Sequence, residues 1–192
     1  AVYGDIRLTN VSLIFNETKG LNNFSAVFKK GKKYLVVGES GSGKSTLLNI
    51  ISGMYDEYDG EVMIEDEELK QVERNSLSHL VSLASQEVFL FNDTIRNNIT
   101  LYREYSDEQI HNVLKQCGLE NLIQELPDGL DTLVGENGSN FSGGEKQRIN
   151  LARAFIRDSK ILLLDEVSAN LDSVTTDFIE SCLLYTSPSP RD

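Results

Sequence analysis

The sequence has little of what would point to a disulfide-bonded, membrane-spanning or nucleic-acid-binding protein. Its 192 residues include two cysteines, Cys117 and Cys182, which are neither clustered nor accompanied by histidines. We therefore expect reduced, structural thiols, as in a cytosolic protein. No apolar run approaches the length that crosses a bilayer, since Leu162–Leu164 is only strand-length. Lys and Arg number 18 against 30 Asp and Glu, and the net charge of −12 with no basic run opposes a nucleic-acid partner.

A glycine-rich stretch, Gly38–Ser45, has the complete pattern G-x-x-x-x-G-K-S of a phosphate-binding loop. The apolar run 33–37 before it predicts a buried strand, and residues 45–51 after it predict a helix. In that context the backbone N–H groups, the helix N-terminus and the Lys44 ammonium would face one anion, while Ser45 would offer its hydroxyl to Mg²⁺. The residues expected to contact a nucleotide here are Gly38, Glu39, Ser40, Gly41, Ser42, Gly43, Lys44, Ser45 and Thr46.

A second candidate for chemistry is the apolar run 161–164, which ends in Asp165 and Glu166. Alone, this pattern is better explained as an ordinary strand followed by an acidic turn. Beside a phosphate loop, a buried strand would deliver both carboxylates to the ligand-binding edge of the sheet. Asp165 is then expected to hold Mg²⁺, directly or through water. Glu166 is expected to polarise the water that attacks the γ-phosphate.

A third motif, Ser142-Gly143-Gly144-Glu145, precedes a predicted helix that runs to about residue 157. Two glycines at a helix start leave backbone N–H groups open, so the motif predicts a second anion-binding helix terminus.

The remaining patterns predict an α/β domain over residues 1–184, with a parallel sheet, an N-terminal antiparallel β-subdomain and a mainly helical insert at about 88–140. Ile6 and Leu8 share one strand parity and Val11 the other, which predicts a bulge near residues 9–10. Ser106 and Gln109 have capping-box spacing and predict a helix to about Cys117. A C-terminal helix is expected at about 173–184. Residues 185–192, with two of the three prolines, resemble translated adapter readthrough and are expected to be a non-native tail.

The order of these motifs resembles that of the ATP-binding cassette (ABC) ATPases over nearly the whole chain, from about Asp5 to Leu184. The phosphate loop is followed by a glutamine after a strand, an insert, the signature Phe141–Glu145 and a run ending in Asp-Glu. The family more often has Leu first and Gln last in the signature. The resemblance implies ATP and Mg²⁺ as cofactors and ATP hydrolysis as the activity.

Individual roles follow from the resemblance residue by residue. Phe15 matches the aromatic residue that stacks on adenine, although Phe15 alone would suggest core packing. Gln86 matches the glutamine that reaches Mg²⁺ and the attacking water, and Lys44 and Glu166 match the other catalytic positions. The family pattern also implies a head-to-tail dimer with a second cassette, in which Ser142, Gly143, Gly144 and Glu145 of one chain face the nucleotide of the other.

The segment 87–99 resembles that of ABC exporters, where it docks on a membrane domain that commonly precedes the cassette. Burial of Phe89 and Phe91 inside the insert is an equal alternative. Export implies a position at the cytoplasmic face of a membrane. A soluble cassette ATPase acting on nucleic acid or ribosomes is the second class considered. A third is a truncated fragment that binds ATP without turnover, since neither His79 nor His111 follows the signature as the family's switch histidine does.

Overall fold

The structure, a computed structural model, describes residues 4–15, 19–32, 34–165 and 184–188. The described residues form two compact units, one made of those within 4–83, 159–165 and 184–188, the other of 84–158. The elements in chain order are β1 (Ile6–Phe15), β2 (Lys19–Phe28), β3 (Tyr34–Gly38), α1 (Lys44–Ile51), β4 (Asp59–Ile64), β5 (Glu67–Glu68), α2 (Arg74–Leu80), β6 (Val81–Ala84), α3 (Ile95–Thr100), α4 (Asp107–Gln116), α5 (Glu120–Glu125), α6 (Gly143–Phe155), β7 (Ile161–Asp165) and β8 (Leu184–Pro188).

The first unit contains two four-stranded sheets, and the predicted α/β class is confirmed. One sheet is antiparallel, in the order β2-β1-β4-β5. The other has the order β3-β8-β7-β6, and β8 runs parallel to both of its neighbours β3 and β7. The core contains the apolar face of α1 together with side chains from both sheets.

The predicted bulge in β1 is confirmed. The register with β2 shifts between Leu8 and Val11, and Asn10 has a φ of 49°. Ile6, Leu8 and Val11 are all at most 3% exposed. One inserted residue thus lets apolar side chains of both parities reach the same core.

The strand before the phosphate loop differs from its prediction as a buried strand. Within the described part of 33–37, Tyr34 and Val36 pack against the core, but Leu35 and Val37 are more than half exposed. Successive strand residues point to opposite faces, and α1 packs on β3. A short apolar run cannot show by itself whether both faces of a strand are covered.

The C-terminal segment also differs from expectation. Leu184, expected to end a helix, begins β8, and residues 185–188 pair with β3 and β7 although they were expected to lie outside the domain. Pro188 comes at the end of the strand, where a missing N–H disturbs the ladder least. The non-native origin of residues 185–192 stays a prediction, and most of the helix predicted at 173–184 lies outside the described residues.

The second unit is built from helices. α3 and α4 each pack on α6, and α5 packs on α4. The predicted capping box of α4 is confirmed: Gln109 N–H donates to Ser106 Oγ, and Ser106 N–H donates to Gln109 Oε1. No helix among the described residues is long and apolar enough to span a membrane.

Candidate functional site

The phosphate loop joins β3 to α1, as its spacing predicts. Ser42 N–H donates to the Glu39 carbonyl at 3.1 Å, which folds the loop into a turn, and α1 begins at Lys44. Gly43 has a φ of 92°, and a Cβ there would lie 2.4 Å from the Gly20 carbonyl oxygen. This position therefore needs glycine for its conformation and for the close approach of β2.

Lys44 is 8% exposed, and its Nζ donates to the carbonyl oxygens of Gly38 at 2.6 Å and Glu39 at 2.9 Å. No carboxylate among the described residues forms an ion pair with it. A lysine ammonium has three donors, and a buried cation without an anion is costly. The loop thus holds a nearly buried positive charge beside the N-terminus of a helix, which fits a bound phosphate group.

Asp165 lies at the end of β7 and is 6% exposed. The three residues before it, Leu162–Leu164, are buried or half-buried, as expected for the buried strand that the sequence predicts. β3 and β7 both flank β8 and run parallel to it, which places the two strands about 10 Å apart. Asp165 and Val36 pair with the same residue of β8, so Asp165 lies level with a point two residues before the end of β3. Ser45, the other expected magnesium ligand in this unit, is exposed at the start of α1.

In the part of the chain that the structure describes, no three His, Cys, Asp or Glu side chains form a group that could hold a metal ion. The single buried carboxylate of Asp165 on the sheet that bears the phosphate loop fits Mg²⁺, because that ion is usually held by one or two carboxylates together with the phosphates of a substrate. Glu166, the expected catalytic base, lies outside the described residues.

Phe15 lies at the end of β1 and is 39% exposed, so it is not the core residue that its sequence alone would suggest. Its ring centroid is 5.4 Å from that of Tyr55, at an angle of 57°. Tyr55 was not identified from the sequence. The only signal there is an aromatic residue shortly after the helix that follows the phosphate loop.

In the second unit, Gln86 is exposed two residues after β6, and its backbone carbonyl accepts a bond from Gln147 Nε2 at 2.9 Å. Asn150 Nδ2 donates to the Ser85 carbonyl at 3.1 Å. Both donors lie on α6, the helix that follows the signature. The signature helix therefore holds the backbone of the Gln86 segment, a contact across 61 residues that the sequence does not reveal.

The start of α6 is open to solvent and capped. Ser142 and Gly143 are exposed, and nothing lies within 4 Å of the position of a Cβ on Gly143. Ser142 N–H donates to Glu145 Oε2 at 2.8 Å, and Glu145 N–H donates to Ser142 Oγ at 3.3 Å. This capping box was missed, although the Ser-x-x-Glu spacing could have revealed it.

The structure thus places Phe15, the phosphate loop and Asp165 in the first unit, and Gln86 and the signature in the second. A glycine loop between a parallel strand and a helix, with a buried lysine and an acidic strand end on the same sheet, defines a phosphate-loop nucleotide-binding domain.

Comparisons with known proteins are more specific. The profile of the family described as ABC transporter matches residues 21–169. The ATP-dependent lipid A-core flippases of Photorhabdus laumondii and Salmonella typhimurium are each 41% identical over 184 residues, or 94% of this chain and 32% of theirs. That of Francisella tularensis is 38% identical over 95% of this chain and 30% of its own length. A solved bacterial Atm1-family ABC exporter with ATP bound superposes with a TM-score of 0.88, at 31% identity, over 98% of this chain and 35% of that one.

The chain belongs to the ABC transporter family. It is a nucleotide-binding ATPase domain of the exporter type, and it spans about a third of the length of the curated relatives it matches.

Proposed function

We propose that the first unit binds ATP with Mg²⁺ at residues 38–46. The buried ammonium of Lys44 carries this proposal, since within the part of the chain that the structure describes it bonds only to two carbonyl oxygens, and it lies where α1 begins. A triphosphate would replace those neutral acceptors with charged oxygens, which make hydrogen bonds about twice as strong.

The other roles in this site are assigned by position. The loop N–H groups and Lys44 orient and neutralise the phosphates, and Phe15 offers an exposed ring surface to the base. Ser45, Asp165 and Gln86 are proposed to hold Mg²⁺, which would offset the charge that develops on the phosphates during hydrolysis. Glu166 is proposed as the base that takes the proton of the attacking water.

A second cassette is the proposed partner of the signature. The capping box uses the N–H groups of Ser142 and Glu145, but the helix start is exposed and the space around Gly143 is open, as an anion arriving from another chain requires. Glu145 brings a carboxylate to that helix end, where its charge would oppose a phosphate more than the uncharged Gln that is commoner in the family. The second cassette is either a copy of this chain or a different one.

A membrane domain is the other proposed partner, preceding this domain in the same polypeptide. Phe89 and Phe91 are 60% and 42% exposed, and their rings meet edge to face at 5.3 Å. This exposure supports docking over the alternative of burial within the insert. ATP binding and hydrolysis would then power transport from the cytoplasmic face of a membrane, as the flippase relatives suggest. The charge of −12 opposes a role on nucleic acid.

The test of the nucleotide site is equilibrium binding of MgATP to the parent chain and to Lys44→Ala. Loss of the charged hydrogen bonds should weaken ATP binding about 10- to 100-fold. Lys32→Ala is the matched control, because Lys32 is exposed and its loss changes the net charge equally. Equal affinities of Lys44→Ala and Lys32→Ala would contradict the assignment. A hydrolysis assay on the same samples reports whether this chain also turns ATP over.

A further inference from the structure

We propose that Tyr55 is a positioning residue for the nucleotide base: its ring holds the Phe15 ring in the orientation that stacks on a purine. This inference rests on the proposed ATP site and adds to it a residue that determines how much of the affinity comes from the base.

Phe15 lies close to the phosphate loop through strand pairing. In the β1–β2 register, Phe15 pairs with Lys19 and Ile14 with Gly20. The Gly20 carbonyl oxygen in turn approaches Gly43 so closely that a Cβ there would be 2.4 Å away. A nucleotide with its phosphates on the loop would therefore have its base within reach of Phe15.

Tyr55 is fixed by the same helix that starts at the loop. α1 ends at Ile51, and the N–H groups of Met54 and Tyr55 both donate to the Asn49 carbonyl, at 2.9 and 3.3 Å. The Tyr55 side chain is half-buried and packs against the core of the first unit. Tyr55 is thus a rigid neighbour, whose position is set by the helix that also presents Lys44.

The contact between the two rings is specific in geometry. A centroid separation of 5.4 Å and an angle of 57° lie within the range of favourable tilted aromatic pairs. Phe15 remains 39% exposed, which leaves ring surface for a third ring system. Without Tyr55, Phe15 at the end of a strand would sample more rotamers and lose part of its stacking.

The experiment compares two probes, ATP and inorganic tripolyphosphate, on the 192-residue chain. Tyr55→Leu keeps apolar packing but removes the ring, and we expect it to lower ATP affinity about three- to tenfold, the magnitude of an aromatic pair. Tripolyphosphate affinity should stay at the parent value, since that probe has no base. Tyr55→Phe should restore ATP affinity, because the contact needs the ring and not the hydroxyl. Tyr102→Leu, at an exposed tyrosine of the second unit, is the matched control and should bind both probes like the parent.

The variant Phe15→Leu distinguishes a wrong positioning role for Tyr55 from a wrong assignment of the ATP site. If Phe15→Leu weakens ATP binding and Tyr55→Leu does not, the positioning role is wrong while the ATP site stands. If Tyr55→Leu weakens both probes equally, Tyr55 supports the fold only, and the inference is again overturned. If the parent binds neither probe, the proposed function itself fails.

Discussion

Asp93 shows how one side chain organises the segment that follows Phe89 and Phe91. Its Oδ1 accepts bonds from the N–H of Thr94 at 2.6 Å and from Asn97 Nδ2 at 2.9 Å, and its Oδ2 accepts one from the Tyr102 hydroxyl. The bond from Tyr102, followed by those from Thr94 and Asn97, lowers the pKa of Asp93 below its usual 3.8. The same bond raises the pKa of Tyr102. The charged form of Asp93 is therefore the one that the fold favours.

This preference predicts an acid-dependent loss of stability. A carboxylate whose pKa is lower in the folded state stabilises the fold above its unfolded pKa, and this contribution disappears as the pH falls through the folded pKa. In Asp93→Asn the midpoint of urea unfolding should therefore fall less steeply than in the parent between about pH 4 and pH 2. Asp128→Asn, at an exposed aspartate of the same unit, should keep the parent slope. Matching slopes for Asp93→Asn and the parent would show that Asp93 contributes nothing.

At the scale of elements, α6 is bonded along one face to the segment 85–99. Beyond the bonds of Gln147 and Asn150, Arg153 Nε donates to the Asn98 carbonyl at 2.8 Å and Nη1 to the Phe89 carbonyl at 2.9 Å. Arg153 Nη2 also donates to Asn98 Oδ1 at 3.2 Å. Residues 147, 150 and 153 are three apart, so they lie along one side of the helix. Directional hydrogen bonds thus join the signature helix α6 to the segment that contains Phe89 and Phe91.

Removal of the forked Arg153 guanidinium should lower the unfolding free energy of the second unit. Arg153→Ala leaves the carbonyl and amide oxygens of the buried Asn98, and the carbonyl of the exposed Phe89, with fewer donors, and we expect a loss of about 2–3 kcal/mol in unfolding free energy. Arg153→Lys should recover only part of it, because an ammonium cannot reproduce the planar fork. Arg96→Ala breaks an exposed pair with Asp131 and should cost less than about 1 kcal/mol. A loss no larger for Arg153→Ala than for Arg96→Ala, in urea titrations, would refute the role of the fork.

The elements also show what local sequence can and cannot predict. The capping box at Ser106 and the bulge in β1 follow from patterns within a few residues, and both are found. The exposed face of β3 could not be predicted, since burial depends on which elements cover the sheet. The bonds from Gln147 to Gln86 and from Arg153 to Phe89 join positions more than 60 residues apart. Such contacts are set by tertiary packing and leave no local pattern.

For the whole molecule, the structure divides the expected site residues between two units. The loop, Phe15 and Asp165 belong to one, and Gln86 and the signature to the other. The motifs single out these residues in the sequence because glycine, lysine and paired carboxylates are chemically informative, and the roles assigned to them stay predictions. The supporting residues, such as Tyr55 and Arg153, were not predicted, because their types are common and only their contacts distinguish them.

The phosphate loop and Phe15 are proposed to hold the nucleotide that this chain binds, while the signature contacts the nucleotide bound to a second cassette. Backbone amide hydrogen exchange of the Glu166→Gln variant, with and without MgATP and at low and high protein concentration, tests it most directly. At low concentration MgATP should slow exchange in residues 38–46 and at the end of β1, with no change at residues 142–145. At high concentration residues 142–145 should become protected as well. Protection by MgATP that leaves residues 38–46 unchanged would contradict the account.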